Sequence, residues 1–311
     1  MSKTYDSAAL GSDIARSRKQ YLARQLAAAV VNLLRLNQPG LLTTEIVQAI
    51  NPIATIKTPH GPLLCKAGHG RLLWRAQSFY IEEPETVAWL DRLTPDDVYW
   101  DIGANVGLYA IYAAKFRGCK TVAFEPESQN YALLVENIVL NGVSANCLPA
   151  NIAIADRTDV SRLRVRYITK GGAYNMFHSD SADRDAKSGL PESFQAAQTY
   201  ERHEGFDQLV FGSSVDELVL KHGFPAPSFI KLDVDGLEPN IVAGAIETIK
   251  SGRVRSLLIE LNTKSAADMA VPNLLAQEGF KRISVSNNWD SREDKTREAD
   301  LPALNMIFER S

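Results

Sequence analysis

The sequence predicts an α/β fold: a doubly wound, mostly parallel sheet of about seven strands, with an antiparallel C-terminal hairpin and an N-terminal helical and hairpin extension. Three observations predict it. Short apolar runs such as "DVYWDIG", "TVAFEP" and "SLLIELN" alternate with segments of helical spacing. Several of those runs end on an acidic or amide residue, where open α/β sheets keep their ligands. The last stretch breaks the rhythm with two strand-like runs and no helix between them.

Composition narrows the class. At 311 residues the chain is long enough for one large α/β domain or two small ones. Its 45% apolar and 23% charged residues are those of an ordinary soluble globular protein. A net charge of −3 argues against a large nucleic-acid footprint. Residues 1–75 hold 10 Lys/Arg against 3 Asp/Glu, a balance of +7 that leaves −10 for the rest. Cys65, Cys119 and Cys147 are too few and too scattered for a disulfide framework or a zinc site, and point to a reducing, cytoplasmic setting. The most apolar window, "YLARQLAAAVVNLLRL" (21–36), is interrupted by Arg24, Gln25, Asn32 and Arg35. It is shorter than the roughly 20 apolar residues of a membrane span, so none is expected.

The elements follow in order. Residues 1–50 read as a helical extension, with Leu22, Leu26, Val30, Leu33 and Leu34 on one stripe, stopped by Asn37 and Pro39-Gly40. That stripe suits packing on the main domain, on a second copy of the chain, or on an anionic lipid surface. Residues 51–95 read as a lead-in of alternating runs, "IATIKTPHGPLLCK" and "RLLWRAQSFYI", rich in hairpins. It ends in a short helix, "EPETVAWLDRL" (83–93), with Glu82, Glu83 and Glu85 near its positive end. The main domain, 96–311, opens with a buried strand (97–102), a glycine turn and a helix (106–117). A second strand (121–126) leads to the helix "QNYALLVENIVLN", stopped by Gly142. A third strand lies at about 145–149, followed by "ANIAIAD". A polar excursion at about 165–212 is too long for a plain connection and marks a functional, substrate-side segment. Then come "SFIKLDVDG" (228–236), one helix (239–250) and "SLLIELN" (256–262). The runs 280–287 and 305–311 form the closing antiparallel pair at the sheet edge.

The chemistry gathers at the strand ends: Asp101, Glu125, Asp233 with Asp235, and Glu260 with Asn262. "YWDIGANVG" resembles a dinucleotide turn but supplies only Gly103 and Gly107 of G-x-G-x-x-G. A pyrophosphate needs glycines that let it approach backbone N–H groups. Here Ala104-Asn105-Val106 fills the turn, and Asp101 places an anion in the same space, which suits a ligand bearing an ammonium and a sulfonium. Glu125, 18 residues after Gly107, is placed to accept the hydroxyls of a ribose. S-adenosylmethionine meets all of these demands and carries no phosphate.

From about residue 80 to 310 the chain resembles the FkbM family of S-adenosylmethionine-dependent methyltransferases, which have a Rossmann-like sheet. The resemblance runs through "EPETVAWL", "DIGANVGLYAIYAA", "AFEPESQNYALLVENIVLNG", "FIKLDVDGLEPNIVAGA", "LLIELN" and "NMIFER". It implies that Asp101, Gly103, Asn105 and Gly107 surround the amino-acid end of the cofactor and that Glu125 holds the ribose. Asn151 and Ala153 would border the adenine, and Asp233 would meet methyl donor and acceptor. Glu238, after Asp235 and Gly236, would fall on the substrate side.

The expected reaction is O-methylation of a hydroxyl on a sugar, glycan or secondary metabolite. Candidates for the general base are Asp233, Asp235, Glu238, Glu260 and His178, with the two aspartates favoured because a strand end fixes them. Tyr174 and Asn175 of "GGAYNMFH", with Glu238 and Glu260, are candidate acceptor contacts. A magnesium ion on Asp233, Glu260 and Asn262 is not favoured, since Glu260 could equally pair with Lys231, which shares Asp233's strand face. Alternatives are methylation of nitrogen or of nucleic acid, for which no N-P-P-Y motif is present, a cofactor-binding scaffold without turnover, and a nicotinamide oxidoreductase, which Asp101 opposes.

Overall fold

Strand alternation builds two apolar layers, one on each side of a central sheet. The computed structural model describes residues 25–26, 29–30, 32, 50–165, 170–172, 176–178, 206–234, 236–286 and 303–311. The chain divides into two units, Met1–Pro52 and Ile53–Ser311. In the first, residues 25–26, 29–30 and 32 are helical, and Leu26 and Val30 of the apolar stripe are exposed.

The second unit begins with a hairpin of β1 (Ile53–Thr58) and β2 (Gly61–Lys66). Helices α1 (Gly70–Glu82) and α2 (Pro84–Leu90) follow. The central sheet takes β3 (Val98–Ile102), β4 (Lys120–Phe124), β5 (Cys147–Ala150), β10 (Phe229–Leu232), β11 (Ser256–Leu261), β12 (Phe280–Ser286) and β13 (Leu304–Arg310) in the order β12-β13-β11-β10-β3-β4-β5. All run parallel except β13, which is antiparallel to both neighbours. The expected seven strands and antiparallel C-terminal pair are present.

Residues of opposite parity in each strand face opposite layers. Tyr99, Ala123, Phe229 and Leu258 face α1, α2, α3 (Leu108–Tyr112) and α4 (Ser128–Leu140). Trp100, Val122, Phe124, Ile230 and Leu257 face the other layer. That layer is built by α5 (Val215–Leu220), α6 (Glu238–Ala243), α7 (Ile246–Lys250) and α8 (Val271–Gln277). The first hairpin is tied to the same body. Asn137 of α4 and Asn141 at its C-cap accept the backbone N–H groups of Lys66 and Leu64 at 2.9 and 3.0 Å, satisfying the outer edge of β2.

Three expectations need correction. Residues 70–82 are a helix, not a strand: Leu72, Ala76 and Phe79 recur at i, i+4, i+7 and are buried, and His69 Nδ1 accepts the Arg71 N–H at 3.2 Å as an N-cap. The helix expected at 239–250 is two. It breaks at Gly244, where a Cβ would lie 2.6 Å from the Ala155 carbonyl oxygen, and Asp216 recaps it by accepting the N–H groups of Glu247 and Thr248. The polar excursion carries strands at its described margins. β6 (Ala153–Ile154), β7 (Asp159–Val165), β8 (Met176–His178) and β9 (Phe206–Ser213) form a second sheet in the order β6-β9-β7-β8. Leu163, Val165 and Val210 are its buried apolar face, a period-two pattern masked by the charged residues between them.

Candidate active site

The strand order reverses between β3 and β10, and a cleft opens at the carboxyl ends of β3, β4 and β10. Period-two geometry puts Asp101, Lys231 and Glu260 on the sheet face that carries Tyr99, Phe229 and Leu258. Lys231 is the register partner of Asp101, and Glu260 that of Asn305. A row of ionisable groups therefore crosses the sheet where it meets the cleft.

Lys231 is its one cation. It is 1% exposed, donates to Asp233 Oδ2 at 2.6 Å and lies 5.3 Å from the Tyr109 ring centroid. Burial works against its charge, but Asp233, Glu83 and Asp101 outweigh burial and raise its pKa, so it stays protonated. Burial would raise Asp233 as well; the Lys231 ammonium and a hydrogen bond from Glu260 bring it below the ordinary carboxylate range. Glu260 is pushed well up by burial and by the Asp233 charge, so the proton between them rests on Glu260. Glu83 accepts from the Thr86 hydroxyl at 2.8 Å and is raised by burial, with Lys231 opposing and Asp233 adding.

Asp101 sits deepest. It is 1% exposed, and neither carboxylate oxygen has a hydrogen-bond partner of good geometry among the described residues. The Tyr99 hydroxyl lies beside it without reaching that geometry. Burial pushes its pKa up to about 6, held from going further by Lys231. A buried carboxylate without a donor is costly, and at a ligand cleft it is the natural seat of a cationic group.

The turn after β3 is held by backbone contact. Gly103 has φ 85°, and a Cβ there would lie 1.9 Å from the Asp233 carbonyl oxygen, so only glycine lets β3 and β10 finish together. Asn105, at φ 52°, gives its N–H to Glu125 Oε2 at 2.8 Å, and Glu127 N–H reaches Glu125 Oε1 at 2.8 Å. Burial raises Glu125 to about 8 against those two bonds, and each oxygen keeps acceptor capacity for a further donor.

A short strap crosses the turn. Gly172 carbonyl accepts from Asn105 Nδ2 at 2.7 Å and from Asn130 Nδ2 at 3.1 Å. Gly171 N–H donates to Asn130 Oδ1 at 2.8 Å, and its carbonyl accepts from Arg75 Nε at 3.1 Å.

Of the sequence candidates, Asp101, Gly103, Asn105, Glu125, Ala153 and Asp233 line the one cleft. Others do not. Gly107 starts α3 at φ 84° against Leu134. Asn151 Nδ2 donates to the carbonyls of Glu125 and Pro126 at 2.8 and 3.0 Å, so it positions the Glu125 backbone. Glu238 is 2% exposed and accepts the N–H groups of Val234 and Gly236, both at 3.0 Å; burial raises it to about 7. Its carboxylate closes its own loop instead of facing the cleft. Glu260 stands behind Asp233. His178 pairs through its backbone with Arg162 in β8, and its side chain lies outside what is described. Tyr174, Asn175 and Asp235 also lie outside the described residues.

Sequence reasoning missed Arg75, Phe79, Glu82 and Glu83, which line the cleft from α1 and its end. The spacing of 75, 79 and 82 along a helix face was the available signal. Among the described residues no three His, Cys, Asp or Glu side chains converge as a metal-binding group, and Asn262 Oδ1 accepts the Lys264 N–H at 2.9 Å. Among them, too, no helix is long and apolar enough to cross a membrane.

One family model matches more than half of the chain. The model of the methyltransferase FkbM domain matches residues 101–282. The 31-O-demethyl-FK506 methyltransferase FkbM of Streptomyces tacrolimicus is 26% identical over 246 residues, which are 75% of this chain and 90% of that protein. The hexuronic acid methyltransferase AglP of Haloferax volcanii is 24% identical over 190 residues, 61% of this chain and 66% of that one. A crystal structure of methyltransferase FkbM from Methylobacillus flagellatus KT aligns at 13% identity and a TM-score of 0.41, covering 70% of this chain and 44% of that one.

Proposed function

The chain belongs to the FkbM family of S-adenosylmethionine-dependent methyltransferases, and on that premise we propose that it methylates a hydroxyl of a sugar, glycan or secondary metabolite. The observation that carries the reading is Asp101, a buried carboxylate with no well-formed hydrogen bond among the described residues, beneath a turn that only glycine can make. An anion there opposes a pyrophosphate and favours the ammonium of an amino-acid end. Relatives named for 31-O-demethyl-FK506 and for hexuronic acid favour a hydroxylated acceptor.

In this reading Asp101 takes the ammonium, and Gly103 and Asn105 bring the backbone close to it. Glu125 accepts ribose hydroxyls with the lone pairs its backbone bonds leave. Ala153, flanked by Ile152 and Ile154, gives an apolar wall for the adenine. S-adenosylmethionine supplies an already activated methyl on its sulfonium, so the protein has to orient the acceptor and take one proton. Orientation is worth about 7–11 kcal/mol in intramolecular precedents. Asp233 is the proposed base: Lys231 and Glu260 hold it ionised on a rigid strand end, and a positioned base adds roughly 10²–10⁴-fold. Asp235 and His178 are the second choices, and Tyr174 and Asn175 are proposed to touch the acceptor.

Calorimetry tests the cofactor half. S-adenosylhomocysteine should bind the wild type and lose most of its affinity for Asp101→Asn. A folded wild type that binds neither S-adenosylhomocysteine nor S-adenosylmethionine overturns the reading. Incubating cell extracts with labelled donor and following the label into oxygen-linked methyl groups tests the acceptor half; label found only on nitrogen or RNA would reject it.

A further inference from the structure

Two cations line the cleft, and only one of them is spoken for. Lys231 is buried on Asp233 at 2.6 Å. Arg75 lines the same cleft from α1. Its Nε donates to the Gly171 carbonyl at 3.1 Å, and its terminal nitrogens have no acceptor among the described residues. It stands among Glu82, Glu83, Asp101, Glu125 and Asp233, yet no salt bridge joins it to any of them.

The anchoring is specific. Gly171 has φ 77°, and a Cβ there would lie 2.7 Å from Leu72 Cδ2. The strap can therefore press flat on α1 and present its carbonyl to Nε. A guanidinium held by that edge keeps its two terminal amines as a rigid fork, the geometry that matches a carboxylate bidentately. The surrounding acids make the cleft a poor place for a free anion but a good one for a zwitterion. Asp101 and Arg75 offer one partner to each charge of an α-amino acid.

We infer that Arg75 is the carboxylate-binding residue of the cleft, receiving either the carboxylate of the methyl donor's amino-acid end or that of an acidic acceptor. The inference rests on the methyl-donor reading above and adds to it a residue from outside the matched domain, since the family model begins at residue 101.

The test is calorimetry on the wild type, Arg75→Met and Arg75→Lys, each first shown to melt cooperatively. Three probes separate the sources: S-adenosylhomocysteine, 5′-methylthioadenosine, which lacks the amino-acid end, and glucuronate added to the S-adenosylhomocysteine complex. If the donor supplies the carboxylate, Arg75→Met weakens S-adenosylhomocysteine about 10- to 100-fold and leaves 5′-methylthioadenosine unchanged. Arg75→Lys, which keeps the charge without the fork, should recover part of the loss. If an acidic acceptor supplies it, the loss falls on glucuronate alone. Equal affinities across the variants, or equal losses for S-adenosylhomocysteine and 5′-methylthioadenosine, overturn the inference while leaving the cofactor reading intact. A wild type that binds none of the probes overturns both.

Discussion

Gly103 and Asp233 touch backbone to backbone: a methyl group on the Gly103 α-carbon would lie 1.9 Å from the Asp233 carbonyl oxygen. Neither side of that contact is a flexible side-chain tip, so nothing nearby can yield cheaply. Gly103→Ala should cost about 2–5 kcal/mol, combining left-handed strain with overpacking. At Gly107 the clash is with Leu134 Cδ1, which can swing away, so Gly107→Ala should cost closer to the strain alone, about 1–2 kcal/mol. Urea unfolding of the two variants checks the order, and an equal cost would contradict it.

Among the buried acids with raised folded-state values are Asp101, at about 6, Glu238, at about 7, and Glu125, at about 8, burial being the main cause in each. Their reference values are 3.8 for Asp101 and 4.5 for the two glutamates. Between reference and folded values the native state holds more protons than the unfolded chain. The stability they contribute is complete below the reference values and is lost as pH rises to about 8. Asp233, shifted downward, acts in the opposite sense and only at acid pH. The Tm of the free protein should fall between pH 5 and 8, and Asp101→Asn should flatten the part of the fall near pH 6. S-adenosylhomocysteine should narrow it by stabilising the ionised Asp101. A Tm that climbs across this window would refute the assignment.

Removing the cation of the acid row exposes its cost. Lys231→Met leaves Asp233 ionised in the cleft without its 2.6 Å partner, with Glu83 and Asp101 close by. The expected loss is about 3–5 kcal/mol at neutral pH. It should shrink toward pH 5, where the acids take up protons, and chemical denaturation at the two pH values measures the difference.

Asn130 holds both residues of the strap, through Gly171 N–H and Gly172 carbonyl. Asn130→Ala should cost about 1–3 kcal/mol, the range for stranding buried backbone groups. Amide hydrogen exchange should then accelerate at Gly171 ahead of β3 and β4. Unchanged protection there would mean the strap is held by other contacts.

Asp233→Asn addresses the chemical step. Transfer of labelled methyl into acceptor should drop roughly 10²–10⁴-fold, while S-adenosylhomocysteine affinity stays near that of the wild type. Loss of binding to the same degree would assign Asp233 to the cofactor instead of to the proton.

The strand-end side of the cleft was legible in the sequence because its parts are local. An apolar run, an acid and a glycine follow one another in "WDIG", and Glu125 ends the next strand, so period and adjacency locate Asp101, Gly103 and Glu125 without knowledge of packing. Arg75 and Phe79 escaped because aromatic residues in "RLLWRAQSFYI" gave the run a strand-like composition that hid its helical period. The strap escaped for another reason: Asn105, Asn130 and Arg75 lie 67, 42 and 96 residues from the glycines they hold, and no periodicity connects them. Glu238 shows the converse, a residue of a motif-like run, "DVDGLE", whose carboxylate is turned from the cleft to close its own loop.

For protein engineering, the strap and the β7–β9 ladder form a socket. They fix the margins of the polar excursion onto elements that stand apart from it, with Asn105 and Asn130 gripping one end and the Asp159–Val165 strand pairing the other through Phe206–Ser213. Exchange of residues 179–205 for the equivalent stretch of another family member leaves both of those anchors in the chain. In the proposed reading, where the excursion sets acceptor choice, chimeras cut at those two margins are the economical test of it.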